Sequence, residues 1–507
     1  MSSKVKKFRR GQRVPVKSVK DKKLKAKLAK VEKTIEETEI LNAMNDIALP
    51  EEAGFLEAEG REKTYKYTQD EIKQNVDEQS ASKIFDLDLD AFGPYSMDFT
   101  RNGRYLLLGG EKGHVALMDW SRHHLVKEFN VQDRVRDVHF LHNETMFAVA
   151  QKKYVYIYDK QGVELHALKH HLDPLALDFL SFHFLLTSIG ETGMLKYQDV
   201  STGQVVAELK TKLGRTKVMR HNPYNAVMHV GHANGVVTMW SPNMTTPLVK
   251  MMCHKGPITS LAVRKDGHQM ATTGLDGQMK IWDLRNYKVL QEYFTTSPAC
   301  SVDFAQKDVV AVGFNSHVQL WQSPGGSKQN APYLTHRLPG KQVGKVRFCP
   351  YEDVLGISHS RGYSSIMVPG SGEPNFDAFE ANPFQNKKQR QEAEVRGLLE
   401  KLRPEMIVLD PTEIGGVNEE KGKIVQQQED AKRAEKMAEK KAKLDARKRM
   451  RGRSGSKKRY LRKQQGIVDE KKQKILEERE EREKKEKEEK RKKMLGDQHG
   501  AALSRFI

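Results

Sequence analysis

From residue 92 to about 370 the chain lays down short runs of Val, Ile, Leu, Phe and Tyr, separated by Gly, Asp and Asn turns and without helical periodicity. Apolar runs punctuated in this way predict strands. One stretch, GQMKIWDLRNYKVLQEY (277–293), serves as a template. It recurs loosely in GHVALMDWSRHHLVKEF (113–129), KYVYIYDKQGVELHAL (153–168), GMLKYQDVSTGQVVAEL (193–209), GVVTMWSPNMTTPLVKM (235–251) and SHVQLWQS (316–323). With the Trp of IWD as register, the equivalent positions are Met118, Tyr158, Gln198, Trp240, Trp282 and Trp321, spaced 39 to 42 residues apart.

That period belongs to WD-repeat propeller blades. A further unit, VGKVRFCPYEDVLGISHSRGYSSIMV (343–368), completes the count, so the predicted fold is all-β, a seven-bladed WD-repeat β-propeller over 92–370. Closing the ring removes exposed sheet edges. One unit carries a fuller pattern: His254, Thr272, Asp276 and Trp282 stand where a turn carboxylate can hold an imidazole, the imidazole a strand hydroxyl, and the hydroxyl an indole N–H. Buried polar groups need such partners, so this tetrad is expected to be structural, not catalytic. The other units keep fragments only, with Gln198 replacing the Trp and Ser241 or Gln322 the Asp, and are expected to rely on packing.

The flanks differ in pattern. Leu24, Leu28, Val31 and Ile35 recur at helical spacing, so 22–45 is predicted to be an amphipathic helix in search of a partner surface. In 371–411 a short helix over 392–401 places Val395, Leu398, Leu399 and Leu402 on one face and stops before Pro404. Beyond 411 the apolar period fades, and 470–493 alternates Lys, Arg and Glu as a solvated helix would. A helical to disordered extension is therefore expected at each end, 1–91 and 412–507.

Charge sharpens this picture. Lys and Arg outnumber Asp and Glu 87 to 67 over 507 residues, a balance that favours a polyanionic partner. Residues 1–33 hold 14 basic and 2 acidic side chains, 36–90 hold 5 and 16, and 432–463 hold 16 and 3. Lys4, Lys6, Lys7, Phe8, Arg9, Arg10 and Arg13 form one basic arm. Arg447, Lys448, Arg449, Arg451, Arg453, Lys457, Lys458, Arg459, Tyr460, Arg462 and Lys463 form the other. Cations that displace condensed counterions bind RNA without a fixed fold, and Tyr460 and Phe8 offer faces on which a base can stack. A nuclear-localisation address would have a similar composition.

Other chemistry finds little footing. Cys253, Cys300 and Cys349 stand nearly 50 residues apart, which suits neither a disulfide framework nor a zinc site and fits a reducing compartment. LGGEKGH (108–114) lies in a hairpin with no helix behind it, and GRSGSKKR (452–459) lacks P-loop spacing. The adjacent pairs His123–His124 and His170–His171 diverge along a strand and hardly chelate one metal. No nucleophile, base and acid occur in a motif context, no apolar run is long enough to span a membrane, and no signal-peptide core follows the basic start. A soluble intracellular protein with no enzymatic activity, cofactor, metal or small-molecule substrate is expected.

Several stretches then resemble a known family. GISHSRGYSSIMVPGSGEPNFDAFEANPFQNKKQRQEAEVRGLLEKLRPEMIVLDP (356–411), VMRHNPYNAVMHVGHANGVVTMWSPNM (218–244), LKYQDVSTG (195–203) and GFLEAEGREKTYKYTQDEI (54–72) are similar to the U-three-protein-seven type of WD-repeat subunit of the small-subunit processome. The resemblance implies a nucleolar, non-enzymatic scaffold within a large hetero-complex. Its partners would be pre-rRNA, the U-three small nucleolar RNA and other processome proteins, and its role maturation of the small-subunit rRNA. A peptide-reading adaptor, such as a substrate receptor or chromatin reader, is the alternative, but it has no need of basic arms at both ends.

Overall fold

A computed structural model of the chain describes residues 22–48, 54–59, 62–376, 380–411, 430–438 and 470–496. Seven antiparallel four-stranded sheets follow one another along the chain. Six take their strands in sequence order, over 95–130, 135–168, 174–210, 218–252, 258–294 and 301–337. The seventh joins Val343–Phe348, Val354–His359 and Gly362–Met367 to a strand from far upstream, Phe85–Asp88, which pairs with Gly362–Met367 at the outer edge. The ring thus draws its last strand from the stretch before residue 92, and the two ends of the propeller are tied by backbone hydrogen bonds. The innermost strand of each sheet packs on that of the next, including Tyr95–Phe99 on Val343–Phe348, so the circle is complete.

The repeated hydrophobic alternation explains the packing. The second strands, such as Tyr105–Gly110 and Leu185–Gly190, and the third strand His114–Asp119 are buried on both faces because neighbouring blades cover both sides. Outer strands such as His124–Asn130 and Glu164–Leu168 are largely exposed and carry charge, which discourages edge pairing. The apolar cores are shared between adjacent blades: Met228, Trp240, Leu261, Met270 and Trp282 belong to one cluster spanning the fourth and fifth sheets.

The register positions fall on third strands. Met118, Tyr158, Gln198, Trp240, Trp282, Trp321 and Ile366 occupy the same place relative to the strand pairing. The antiparallel order also sorts the loops. A lower face carries the turns from first to second and from third to fourth strands. An upper face carries the turns from second to third strands and the links between sheets.

Outside the ring, helix α1 (Lys22–Ala48) covers the stretch predicted to be helical, with Leu24 and Val31 exposed. Helix α2 (Gln69–Asn75) starts at a capping box in which Thr68 and Glu71 exchange side-chain to backbone hydrogen bonds. Its Gln69 pairs with the backbone N–H and C=O of Met367, and Ile72 joins the core of the sixth and seventh sheets. Helix α3 (Glu78–Ser82) leads into the closing strand. Helix α4 (Lys387–Leu399) follows the ring. The chain divides at Val417. In the second unit, α5 (430–438) and α6 (Glu470–Gly496) are charged helices whose described side chains are exposed.

Candidate functional site

The sequence-derived tetrad comes together in the fifth sheet. Trp282 Nε1 donates to Thr272 Oγ1 at 3.0 Å, the threonine hydroxyl lies 3.0 Å from His254 Nε2, and His254 Nδ1 lies 3.1 Å from Asp276. One proton arrangement satisfies every group: the indole donates to the hydroxyl, the hydroxyl to Nε2, and Nδ1–H to the carboxylate. Burial pushes the His254 pKa below its ordinary value despite the nearby Asp276, so the imidazole is neutral as that arrangement requires.

The second, third and fourth blades build their own versions, contrary to the expectation that packing alone secures them, whereas in the sixth the Trp321 indole N–H has no hydrogen-bond partner and the ring packs on Tyr293, as expected. In the fourth, His232 and Trp240 both bond Thr238 Oγ1, at 2.7 and 2.8 Å. In the third, Gln198 replaces the indole and takes the Nε2 side of His171 at 2.8 Å, while Ser188 takes the other ring nitrogen. In the second, Gln151 donates to Tyr158 at 2.7 Å. In these three blades the buried polar groups at the register position are paired with whatever partner the blade supplies.

A second layer of polar residues lines the channel, and nothing in the sequence signalled it. Asp98, His139, Asp178, Arg220, Asp303 and Arg347 occupy equivalent places on the first strands of six sheets, and Ala262 holds that place in the fifth. Asp98, Asp178 and Asp303 each accept the N–H one residue past the neighbouring ring member, from Phe140 at 2.8 Å, His221 at 2.7 Å and Phe348 at 2.9 Å. Charge alternates around the circle. Arg347 pairs with Asp98, His139 lies 3.3 Å from both Asp98 and Asp178, and Arg220 reaches Asp303 at 3.5 Å across Ala262. Burial disfavours the charged form of His139, but the two carboxylates outweigh it and raise its pKa. The ring therefore welds blade to blade electrostatically. Arg347→Met, which removes the buried guanidinium paired with Asp98 and leaves it only His139 as a charged partner, is expected to destabilise the protein by about 3 kcal/mol, read from chemical denaturation.

The segment after the ring crosses the lower face as a strap. Lys307 N–H donates to Ser371 O at 3.1 Å, Arg101 pairs with Glu380, Arg390 with Glu144 at 2.5 Å, His142 with Glu394 at 3.2 Å, and Lys401 with Asp199. It ends on the fourth sheet, where Ser241 Oγ donates to Ile407 O at 2.7 Å and Asn225 Nδ2 to Leu409 O at 2.9 Å. Ile407 is buried in the cluster that holds Trp240 and Trp282. Ser241 stands where a WD blade has Asp, and here its hydroxyl anchors the strap. The predicted apolar stripe on α4 faces outward: Val395, Leu398 and Leu399 are exposed, and the helix is held by its polar flank. Burial of that flank, with its ion pairs, is what the lower-face turns offer.

Every residue of the two basic arms, Lys4 to Arg13 and Arg447 to Lys463, lies outside the described residues. Among the described residues no group of His, Cys, Asp or Glu is placed to hold a metal ion, and the three cysteines are unpaired by disulfide.

A WD domain, G-beta repeat, matches residues 245–283, the unit with the full tetrad, and a BING4CT (NUC141) domain matches 332–410. The latter spans the outer strand of the sixth sheet, the three strands of the seventh sheet over 343–367 and the strap. The chain is thus a WD-repeat propeller bearing a BING4CT domain. It is 44% identical over 479 residues to U3 small nucleolar RNA-associated protein 7 of Saccharomyces cerevisiae, covering 90% of this chain and 86% of the relative. WD repeat-containing protein 46 of Homo sapiens is 44% identical over 460 residues (89% and 75%), and that of Caenorhabditis elegans 44% over 399 (78% and 68%). The chain belongs to the family of these proteins.

Proposed function

We propose that this protein is a non-catalytic scaffold of small-subunit ribosome biogenesis, residing in the nucleolus within the U3-containing processome. Its rigid ring mounts neighbouring proteins, and its two basic arms grip pre-rRNA and the U3 small nucleolar RNA by charge. The observation that carries this reading is the 44% identity over 90% of the chain to a protein named for its association with U3 small nucleolar RNA. The charge map supports the division of labour. The described ring spends its buried ionisable groups on closure and strapping, through Arg347, Asp98 and Asp199, whereas 432–463 carries 16 cations against 3 anions with little apolar surface to bury.

A flexible cationic segment binds RNA through counterion release, so its affinity must fall steeply with salt. A peptide spanning 432–466 is expected to bind single-stranded RNA with a log–log salt slope of roughly −4 to −6, as engagement of about six to eight phosphates requires. Fluorescence anisotropy across a salt series measures it. A slope near zero would remove the arm from the account.

A further inference from the structure

We propose that the upper face of the propeller is itself a docking surface for the phosphate backbone of RNA, centred on the loops of the second to fourth blades. This rests on the RNA-scaffold reading above and adds a third, folded contact to the two arms.

The strap occupies lower-face turns, where the cations Arg101, Arg390 and Lys401 are consumed in ion pairs. No such cover lies over the upper turns of blades two to four among the described residues. Here Lys152, Lys153, Lys169, Lys212, Lys217 and Lys255 are exposed, and none of them makes an ion pair with a described carboxylate. Most acids on this face are engaged elsewhere, Glu191 with Arg136 at 3.7 Å and Arg215 at 3.4 Å, Glu111 with Arg134, and Asp276 with His254, which leaves Asp173 as a single carboxylate among six lysines. The arginines at the mouth of the channel are therefore paired and the lysines around them are free.

These lysines sit on one rigid arc. Asp173 N–H donates to Lys153 O at 2.9 Å, Glu191 N–H to Asp173 O at 3.1 Å, and Thr211 N–H to Gly193 O at 3.0 Å. His254 N–H, next to Lys255, donates to Gly235 O at 3.1 Å, and Gly235, at φ +79°, leaves no room for a Cβ against His254 O. The backbone ladder fixes the loops before any ligand arrives, so little ordering entropy opposes binding. One of the six, Lys217, lines a channel cavity of about 460 Å³ together with Arg134 and Arg215.

The chemistry favours a phosphate polymer over an acidic peptide. Lysine ammonium groups neutralise phosphates as point charges without reading bases. A peptide needs buried apolar anchors, and the arc exposes only two large apolar side chains, Leu172 in the 169–173 loop and Met252 ahead of Lys255, at opposite ends of it.

The test uses the full-length protein and a fluorescein-labelled oligouridine. In one variant Lys152, Lys153, Lys212 and Lys217 are all replaced by Gln. In a control the lower-face Lys160, Lys307 and Lys328 are. Both are checked for an unchanged denaturation midpoint, and Lys152→Gln/Lys153→Gln alone serves if the larger set fails to fold. The upper-face variant is expected to flatten the salt slope by about 2–3 and to weaken binding at least on the order of tenfold, with the control unchanged. If wild type binds RNA and the upper-face variant keeps its slope, this inference falls while the arm-based reading stands. If wild type binds no RNA, the proposed function falls with it. A polyglutamate peptide whose binding depends on the four lysines, when RNA binding does not, would reassign the face to an acidic protein and overturn the proposal.

Discussion

Full-length protein in which Arg447, Lys448, Arg449, Arg451, Arg453, Lys457, Lys458, Arg459, Arg462 and Lys463 are replaced by Gln is expected to lose RNA affinity by about 10²–10³-fold near physiological salt. Its salt slope should flatten by roughly 4–7. The size of the effect follows from counting: each cation that neutralises a phosphate of a single strand adds about 0.7 to the slope, and the change removes ten. The ring should be indifferent to it, because the blades' cores and strap anchors, such as Ile407 and Trp240, lie within the first unit of the chain. The measurement pairs an RNA titration with a denaturation curve. An equal loss on replacing only Tyr460 would shift the weight from charge to stacking.

The second large effect is on stability. His171, His183, His229, His232 and His359 are buried, and burial pulls the pKa of each down to about 4, from an ordinary value of 6.5. Between those values the unfolded chain binds protons that the folded chain refuses, so stability is lost as pH falls from 6.5 towards 4. Each histidine contributes up to about 1.4 kcal/mol per pH unit in that window. The channel ring does not compensate. His139, raised by Asp98 and Asp178 in spite of burial, is protonated in both states below 6.5, and its contribution is lost only as pH rises through its folded value. Asp178 is held well below the carboxylate range, in the face of burial, by His221 and His139, so its contribution fades only at pH below 3.8. Asp353, raised by burial, works in the opposite sense but is one group. The denaturation midpoint is therefore expected to drop steadily from pH 7 to pH 4.5. A flat profile over that range would mean that these imidazoles are solvated or paired.

How much of this was legible in the sequence depends on distance along the chain. The blades were, because strand, turn and Trp-register positions recur every 39 to 42 residues, and the His254–Thr272–Asp276–Trp282 tetrad was, because its members fall within one unit. The closing strand was not. Phe85–Asp88 reads FDLD, and its alternating acids made it look like more of the acidic stretch around it, although Phe85 and Leu87 turn inward. The channel ring was hidden for a different reason. Asp98, His139 and Asp178 are each about one blade apart, and only a closed circle makes them neighbours. Ser241 was seen as a lost Asp, since a strap anchor has no local signature until Ile407 is brought beside it. The outward face of α4 follows from what surrounds it: ion pairs with Glu144 and His142 hold the polar flank, so Val395, Leu398 and Leu399 are left outside. The basic arms are the reverse case: the reading of them rests on composition, and they lie outside the described residues.

The ring's internal economy fits a mount better than a reader of small molecules. Its channel is lined by mutually neutralising charge, its lower face is taken by the strap, and its ends are tied by pairing of Phe85–Asp88 with Gly362–Met367. What such an object offers a ribonucleoprotein is a fixed distance between contacts. The most direct measurement of that claim is ultraviolet crosslinking of the protein in native particles, mapped to both residue and nucleotide. Crosslinks to RNA within 4–13 and 447–463, with none along the strap at 380–409, are the expected result. Particles whose RNA crosslinks fall only on the strap, or that yield none to this chain, would contradict it.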